Sequence, residues 1–258
     1  MIKYMKKIII GICAALAVLG GTAFAFQGMA VRLAHWDEFK LIEHNEVADI
    51  SQKTYDIHDD WQEYKLKGIR FKAPSGLEYD ENDGCYTDIL SSDESYRNGT
   101  TARNIGIFAE TVNVNGDFMP LADMDKLLAE FDISADDLRS FCDWSGRAYP
   151  QDGIDFCLMG ADLNMDDFNI HSYKNARTFF KIGEEMANWG TLGSARSYKR
   201  NTDQYKAFVY QAVRKEPLEF EPFATMRLLD KSGNEAFFSA ATGNEEQDMA
   251  IVSTVKLD

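Results

Sequence analysis

ATMRLLDKSGNEAFFSAAT, residues 224–242, decides the fold: two apolar runs are joined by Asp230-Lys231-Ser232-Gly233-Asn234. Turn-forming residues between two β-prone runs predict an antiparallel hairpin. Just upstream, YKAFVYQAVRK (205–215) is apolar on both faces, with Ala207, Val209 and Val213 alternating against Phe208, Tyr210 and Ala212. Such a segment reads as a central strand covered on both sides. Between them, Pro217 and Pro222 bracket LEFE, and proline cannot complete a ladder, so that stretch is expected as a loop or an edge. Downstream, NEEQDMAIVSTVKLD (244–258) offers Asn244 as N-cap with Gln247 three residues on, followed by Met249, Ile251, Val252, Val255 and Leu257. This predicts a closing helix laid on the sheet.

The earlier sequence supplies more strands and then a helical block. In YKLKGIRFKAP (64–74), Tyr64 and Leu66, then Ile69, Phe71 and Ala73, recur at period two with a break at Gly68, which reads as a strand pair or a bent strand. CYTDIL (85–90) and RNIGIFAETVNV (103–114) continue the strand reading across the polar loop SSDESYRNGT (91–100). The period then changes. Met124, Leu127, Leu128 and Phe131 share a helical face with Asp123 placed as cap; a second helix opens at Ser134, with Asp136 and Asp137 in its first turn and Leu138, Phe141 and Cys142 on one face. A third, longer helix is expected from Asp166 to about Trp189, ended by Gly190. Strands, helices, strands and a final helix predict one α+β domain, residues 61–258, with a mainly antiparallel sheet covered by helices.

Two stretches in this order, GIRFKAPSGLEY (68–79) and EEQDMAIVSTVKL (245–257), resemble the Mog1/PsbP-like fold family. That family includes exported and lipid-anchored bacterial proteins as well as photosystem II and Ran-binding proteins. The resemblance spans residues 61–258 and implies an adaptor or accessory role through protein binding, with no shared catalytic residues. The helical block is longer than that family usually shows.

At the other end of the chain, KKIIIGICAALAVLGGTAFAF (6–26) follows Lys3 and opens an uncharged run from Ile8 to Val31. A basic start followed by an apolar stretch is the signature of an export segment. Gly20-Gly21 loosens the run, and Ala23-Phe24-Ala25 supplies the small residues a signal peptidase needs, which favours cleavage after Ala25. Ile8 to Phe26 as one helix would be about 28 Å long against a hydrocarbon core of roughly 30 Å, so a retained anchor also fits. Residues 1–25 are therefore read as a signal peptide or membrane anchor, and 26–60 as a partly helical stalk and linker. Either outcome places the rest outside the cytoplasm, with membrane contact only through residues 8–26. Cys13 has Ile12 before it, a poor setting for a lipid anchor.

The chain of 258 residues carries 42 acidic against 27 basic residues, a formal charge of −15. Such a surface repels phosphate backbones and anionic headgroups, so no nucleic-acid partner is expected, and a basic protein partner suits it better. Acidic character also keeps an exported protein soluble. Beyond the leader the cysteines are Cys85, Cys142 and Cys157, an odd number that excludes a disulfide framework. A Cys142–Cys157 bridge is compatible with their spacing, but all three sit among apolar neighbours, and three structural thiols are preferred.

Chemistry-bearing motifs are sparse. His35, His44, His58 and His171 are scattered without zinc-ligand spacing, and no hydrolase elbow, P-loop or dinucleotide fingerprint occurs, so no catalytic residue, metal or cofactor is assigned. Ser253 and Lys256 match Ser-x-x-Lys, without the companion motifs of penicillin-recognising enzymes. Cys142 with His171, oriented by Asp143 or Asp155, is a nucleophile-and-base pair in principle, but Cys142 falls on an apolar helix face. Residues 80–84 and 162–167 resemble the start of a calcium loop and fail to complete it; a turn and a helix N-terminus are the simpler readings. Trp144, Arg147 and Tyr149 surround a Ser-Gly bend and are the candidate interaction surface, whereas Trp189 is read as core. The leading expectation is an exported, non-enzymatic cell-envelope protein acting through protein–protein contact. An envelope hydrolase with an unrecognised site and an acidic inhibitor or immunity-type protein are the alternatives.

Overall fold

The computed structural model describes residues 19–40, 42, 46–103, 105–111, 121, 123–188, 195–212 and 223–258. The apolar run 8–18, His44, the end of the second early strand (112–114), Trp189, Gly190 and the proline-bracketed LEFE lie outside the described residues. Among those described, no helix is long and apolar enough to cross a membrane.

The protein is α+β, and its main sheet has eight strands in the order β1-β7-β8-β9-β10-β6-β5-β4. These are β1 (Val47–Asp49), β4 (Glu78–Asp80), β5 (Cys85–Thr87), β6 (Gly106–Thr111), β7 (Ala195–Asn201), β8 (Tyr205–Ala212), β9 (Phe223–Asp230) and β10 (Glu235–Ala241). All neighbours are antiparallel except β1, which runs parallel to β7. The opening hairpin forms as expected. Leu229 stands opposite Glu235, and the Asp230 carboxylate accepts from the Ser232 and Asn234 amides at 2.7 and 2.8 Å while Gly233 takes φ +82°.

A second sheet of three strands joins β2 (Gln62–Leu66), β3 (Ile69–Ala73) and β11 (Lys256–Leu257) in the order β11-β3-β2. Leu66 pairs directly with Ile69, so Lys67 (φ +48°) and Gly68 (φ +82°) form a two-residue hairpin turn with both residues left-handed, the geometry whose twist matches its strands. The helices are α1 (Met29–Ala34), α2 (Trp36–Phe39), α3 (Glu94–Arg97), α4 (Met124–Glu130), α5 (Ala135–Ser145), α6 (Gly153–Ala161), α7 (Tyr173–Asn188) and, last, α8 (Glu245–Ser253). The second sheet and α8 cover one face of the main sheet. The short α3 lies within the β5–β6 loop, while α1, α2 and α4–α7 build the layer on the opposite face.

Alternation along the strands feeds two cores. Ala207, Val209, Met226, Leu228 and Phe238 face α8 and β3, where Phe71, Ile251 and Val252 complete the packing. Phe208 and Leu229 point the other way, toward Phe141, Phe156, Phe179 and Ile182. Each of these side chains larger than alanine contributes about 1.5–3 kcal/mol. Ion pairs bolt the helical layer to the sheet: the Lys206 ammonium lies 2.9 Å from Asp155 and also meets Asp152, and the buried Glu235 receives both the Arg227 guanidinium and, at 2.6 Å, the Leu121 amide.

Three expectations are corrected. Residues 26–60 are not a stalk: the Gly28 amide donates to the Ile170 carbonyl at 3.0 Å, Val31, Phe39 and Ile42 are buried in the helical core, and β1 joins the main sheet. The long helix begins at Tyr173, because residues 165–167 form a separate 3-10 turn capped by Asn164. Helix α6 and strand β7 are additional elements, and so is β11: the closing helix stops at Ser253, and Lys256 and Leu257 pair with Arg70 and Ile69 of β3.

Candidate functional site

A cleft of about 770 Å³ lies on the sheet face that carries α8. Its floor comes from β7 and β8, whose register sets Arg196 opposite Gln211 and Tyr198 opposite Val209. Tyr198 and Gln211 are each only 3% exposed. One wall is the strap 53–61 that follows β1 and its 3-10 turn, and it contributes Lys53, Tyr55, Asp56, His58 and Trp61. The other wall is the first turn of α8, Asn244 to Gln247.

Hydrogen bonds tie floor and walls together. The Lys53 ammonium lies 4.5 Å from the Tyr198 ring centroid and 3.4 Å from its hydroxyl. Tyr198 donates to the Gln211 side-chain oxygen at 3.4 Å, and the Gln211 amide donates to the Glu245 carbonyl at 2.6 Å. Asn244 caps α8 by accepting from the Glu246 and Gln247 amides at 2.9 and 3.1 Å. With the helix amides occupied by this cap and acids at Glu245 and Glu246, the mouth of the cleft disfavours an anion despite the helix dipole. Arg196 approaches Glu245 at 3.9 Å, and His58 stands 3.9 Å from Asp56 and 6.1 Å, centroid to centroid, from Trp61.

Two polar groups here are under electrostatic tension. The buried Tyr55 hydroxyl has no hydrogen-bond partner among the described residues, and burial, with the Tyr198 phenol nearby, pushes its pKa up to about 12. Asp248, one turn into α8, is fully buried; it accepts from the Thr242 amide at 2.8 Å through one oxygen while the other has no partner among the described residues. Burial pushes its carboxyl up to about 7 against the lowering effect of the Thr242 bond, and nearby Glu245 adds to the rise. The bond closes the corner between β10 and α8, so this acid helps to hold one cleft wall.

The residues singled out from sequence differ in exposure and in partners. Trp144 is exposed at the end of α5. Gly146 closes that helix in the left-handed region (φ +71°), and the next residue, Arg147, turns inward to bind Asp167 through two nitrogens at 2.9 and 2.8 Å and Asp162 at 3.0 Å. Tyr149 is half-buried, with the Arg139 guanidinium 5.3 Å from its ring centroid. Arg147 is thus an internal tie and Trp144 the exposed member of the three.

The remaining motifs resolve as structure. The carboxylates of Asp80 and Asp83 meet Arg103 in the β4–β5 region, and Asp162 and Asp167 hold Arg147. Ser253 ends α8 and donates to the Ala250 carbonyl at 2.7 Å, whereas Lys256 lies in β11, so the two share no helix turn. The thiols of Cys85, Cys142 and Cys157 are free and buried; burial pushes all three up, Cys157 to about 12. A thiolate is therefore disfavoured at Cys142, whose sulfur sits 3.9 Å from that of Met159, while the His171 ring nitrogen Nδ1 is 2.6 Å from the Ala25 carbonyl.

No cleft residue was singled out from the sequence as part of a site. The available signal was the run YDIHDDW (55–61), aromatic and acidic residues between two strands, which reads as linker until β1 fixes its start and β2 its end. No protein-family model matches the chain, and no curated protein matches it.

Proposed function

We propose that this is an exported cell-envelope protein of the binding or accessory type, working through protein–protein contact, and that the cleft between the 53–61 strap and α8 receives a basic segment of its partner. The observation that carries the reading is the makeup of the cleft: Tyr55 and Trp61 supply aromatic surface over a floor that holds the buried Tyr198, and the acids Asp56, Glu245 and Glu246 stand beside Lys53 and Arg196. Aromatics give large contact area at low entropic cost, and acids select a cationic side chain between them. Net charge of −15 steers such a partner and repels nucleic acid. The basic, apolar N-terminal sequence supports export, and the resemblance of residues 68–79 and 245–257 to the Mog1/PsbP-like family implies an accessory role.

The test is a photo-crosslinking residue at position 61 in intact native cells, followed by binding measurements with the captured partner. Glu245→Lys with Glu246→Lys is expected to weaken the complex about tenfold, which corresponds to about 1.4 kcal/mol, with the loss shrinking at high salt. A folded protein that returns no reproducible partner and instead turns over an envelope substrate would overturn the proposal in favour of the hydrolase.

A further inference from the structure

Residues 19–25 are helical, and every residue from 19 to 26 is exposed, although the sequence there is LGGTAFAF. Leu19 is 66% and Phe24 78% exposed. A helix that is apolar or small on all sides and packs on nothing has no stabilising partner in water. The packed body begins with no spacer after it. His171 engages the Ala25 carbonyl, and Phe26 tilts against the His171 ring with centroids 5.3 Å apart. At Gly28 the chain lies so close to the 169–170 loop that a Cβ would stand 2.4 Å from the Asn169 carbonyl oxygen. Beyond this joint, Leu33 and Trp36 are 67% and 53% exposed, with the Arg32 guanidinium 5.7 Å from the Trp36 ring centroid.

We propose that the leader is retained and that this corner of the domain, Phe24, Phe26, Leu33 and Trp36, sits in the interfacial layer of a lipid bilayer. The inference rests on the export reading above. Lipid is the occupant because the exposed turn continues an uncharged apolar run that starts at Ile8 behind Lys3, Lys6 and Lys7. Tryptophan beside arginine suits the headgroup boundary, where the ring is half-desolvated and the guanidinium stays wet. The consequence is an orientation. Helices α1 and α2 belong to the layer on one face of the sheet and the cleft lies on the other, so the helical layer rests toward the membrane while the cleft faces outward.

Two measurements on the full chain test this. In native cells the intact, uncleaved chain is expected in the membrane fraction. In vesicles of phosphatidylethanolamine and phosphatidylglycerol, lipids brominated close to the headgroups are expected to quench tryptophan emission; Trp36→Phe removes the quenched component and Trp61→Phe, in the cleft, leaves it. An exported soluble chain beginning at Phe26 overturns the inference and leaves the binding cleft standing. So does an anchored chain without Trp36-dependent quenching, or one whose Trp36 is shielded in a concentration-dependent dimer. An uncleaved chain free in the cytosol removes both readings.

Discussion

Replacing Asp248 with asparagine reverses the usual expectation for a buried acid. Its carboxyl is held near 7 in the folded protein against 3.8 for an ordinary aspartate, because burial outweighs the single Thr242 bond. The folded state therefore keeps a proton that the unfolded chain releases, and stability contributed below the unfolded pKa is lost as pH rises through the folded one. The full penalty, a shift of about 3 in pKa, is on the order of 4 kcal/mol, and about 2–3 kcal/mol of it falls between about pH 5 and about pH 8. The substituted carboxamide would still accept the Thr242 amide through its oxygen and would carry no charge at any pH. Urea unfolding of both proteins across that window is the assay. The parent is expected to lose stability toward alkaline pH, and Asp248→Asn to flatten the slope and exceed the parent near pH 8. Parallel slopes, or a variant weaker than the parent near pH 8, would refute the idea that burial of a charge governs this corner.

Arg147→Ala removes a guanidinium that holds the mostly buried Asp167 and costs about 2–3 kcal/mol in chemical denaturation; Arg147→Lys restores little, because one ammonium cannot reproduce the two-pronged bond to Asp167. Tyr55→Phe deletes a buried hydroxyl that has no partner among the described residues and leaves stability unchanged or raises it by up to about 1 kcal/mol, read as a shift in thermal midpoint. Gly28→Ala drives a methyl group into the Asn169 carbonyl and costs about 1–3 kcal/mol; hydrogen exchange is expected to rise first across α1 and α2.

How much of this was legible depended on whether an element packs on one side or two. The β2–β3 and β9–β10 hairpins and the Asn244-capped start of α8 announce themselves through turn chemistry and period, and each stands where the sequence placed it, although α8 stops at Ser253 instead of running on through Leu257. Helix α6 gives no period because Ile154, Phe156, Cys157, Met159 and Ala161 are buried around its whole circumference, between sheet and helices. Its one readable mark was Asp152, which caps Ile154 and Asp155. Strand β7 hid for the opposite reason: its centre, Arg196 to Arg200, carries one large aromatic side chain, Tyr198, among polar and charged residues that alternate without an apolar face. The segment 26–60 looked like a stalk because Val31, Phe39 and Ile42 are too widely spaced to show a pattern; their burial is decided by α7, far along the chain. The cleft shared this fate, since its three parts meet only once β1 is paired.

Strand β1 ties two ends of the molecule together mechanically. Three residues in parallel register with β7 lie between the N-terminal helices and the strap lining the cleft. Load applied along the leader meets the Gly28–Ile170 joint and the buried Val31, Phe39 and Ile42 first and this short ladder next, so a force–extension trace should show rupture of the N-terminal segment ahead of global unfolding. At that step the strap would slacken and release whatever the cleft holds, while the antiparallel strands of the main sheet are still paired.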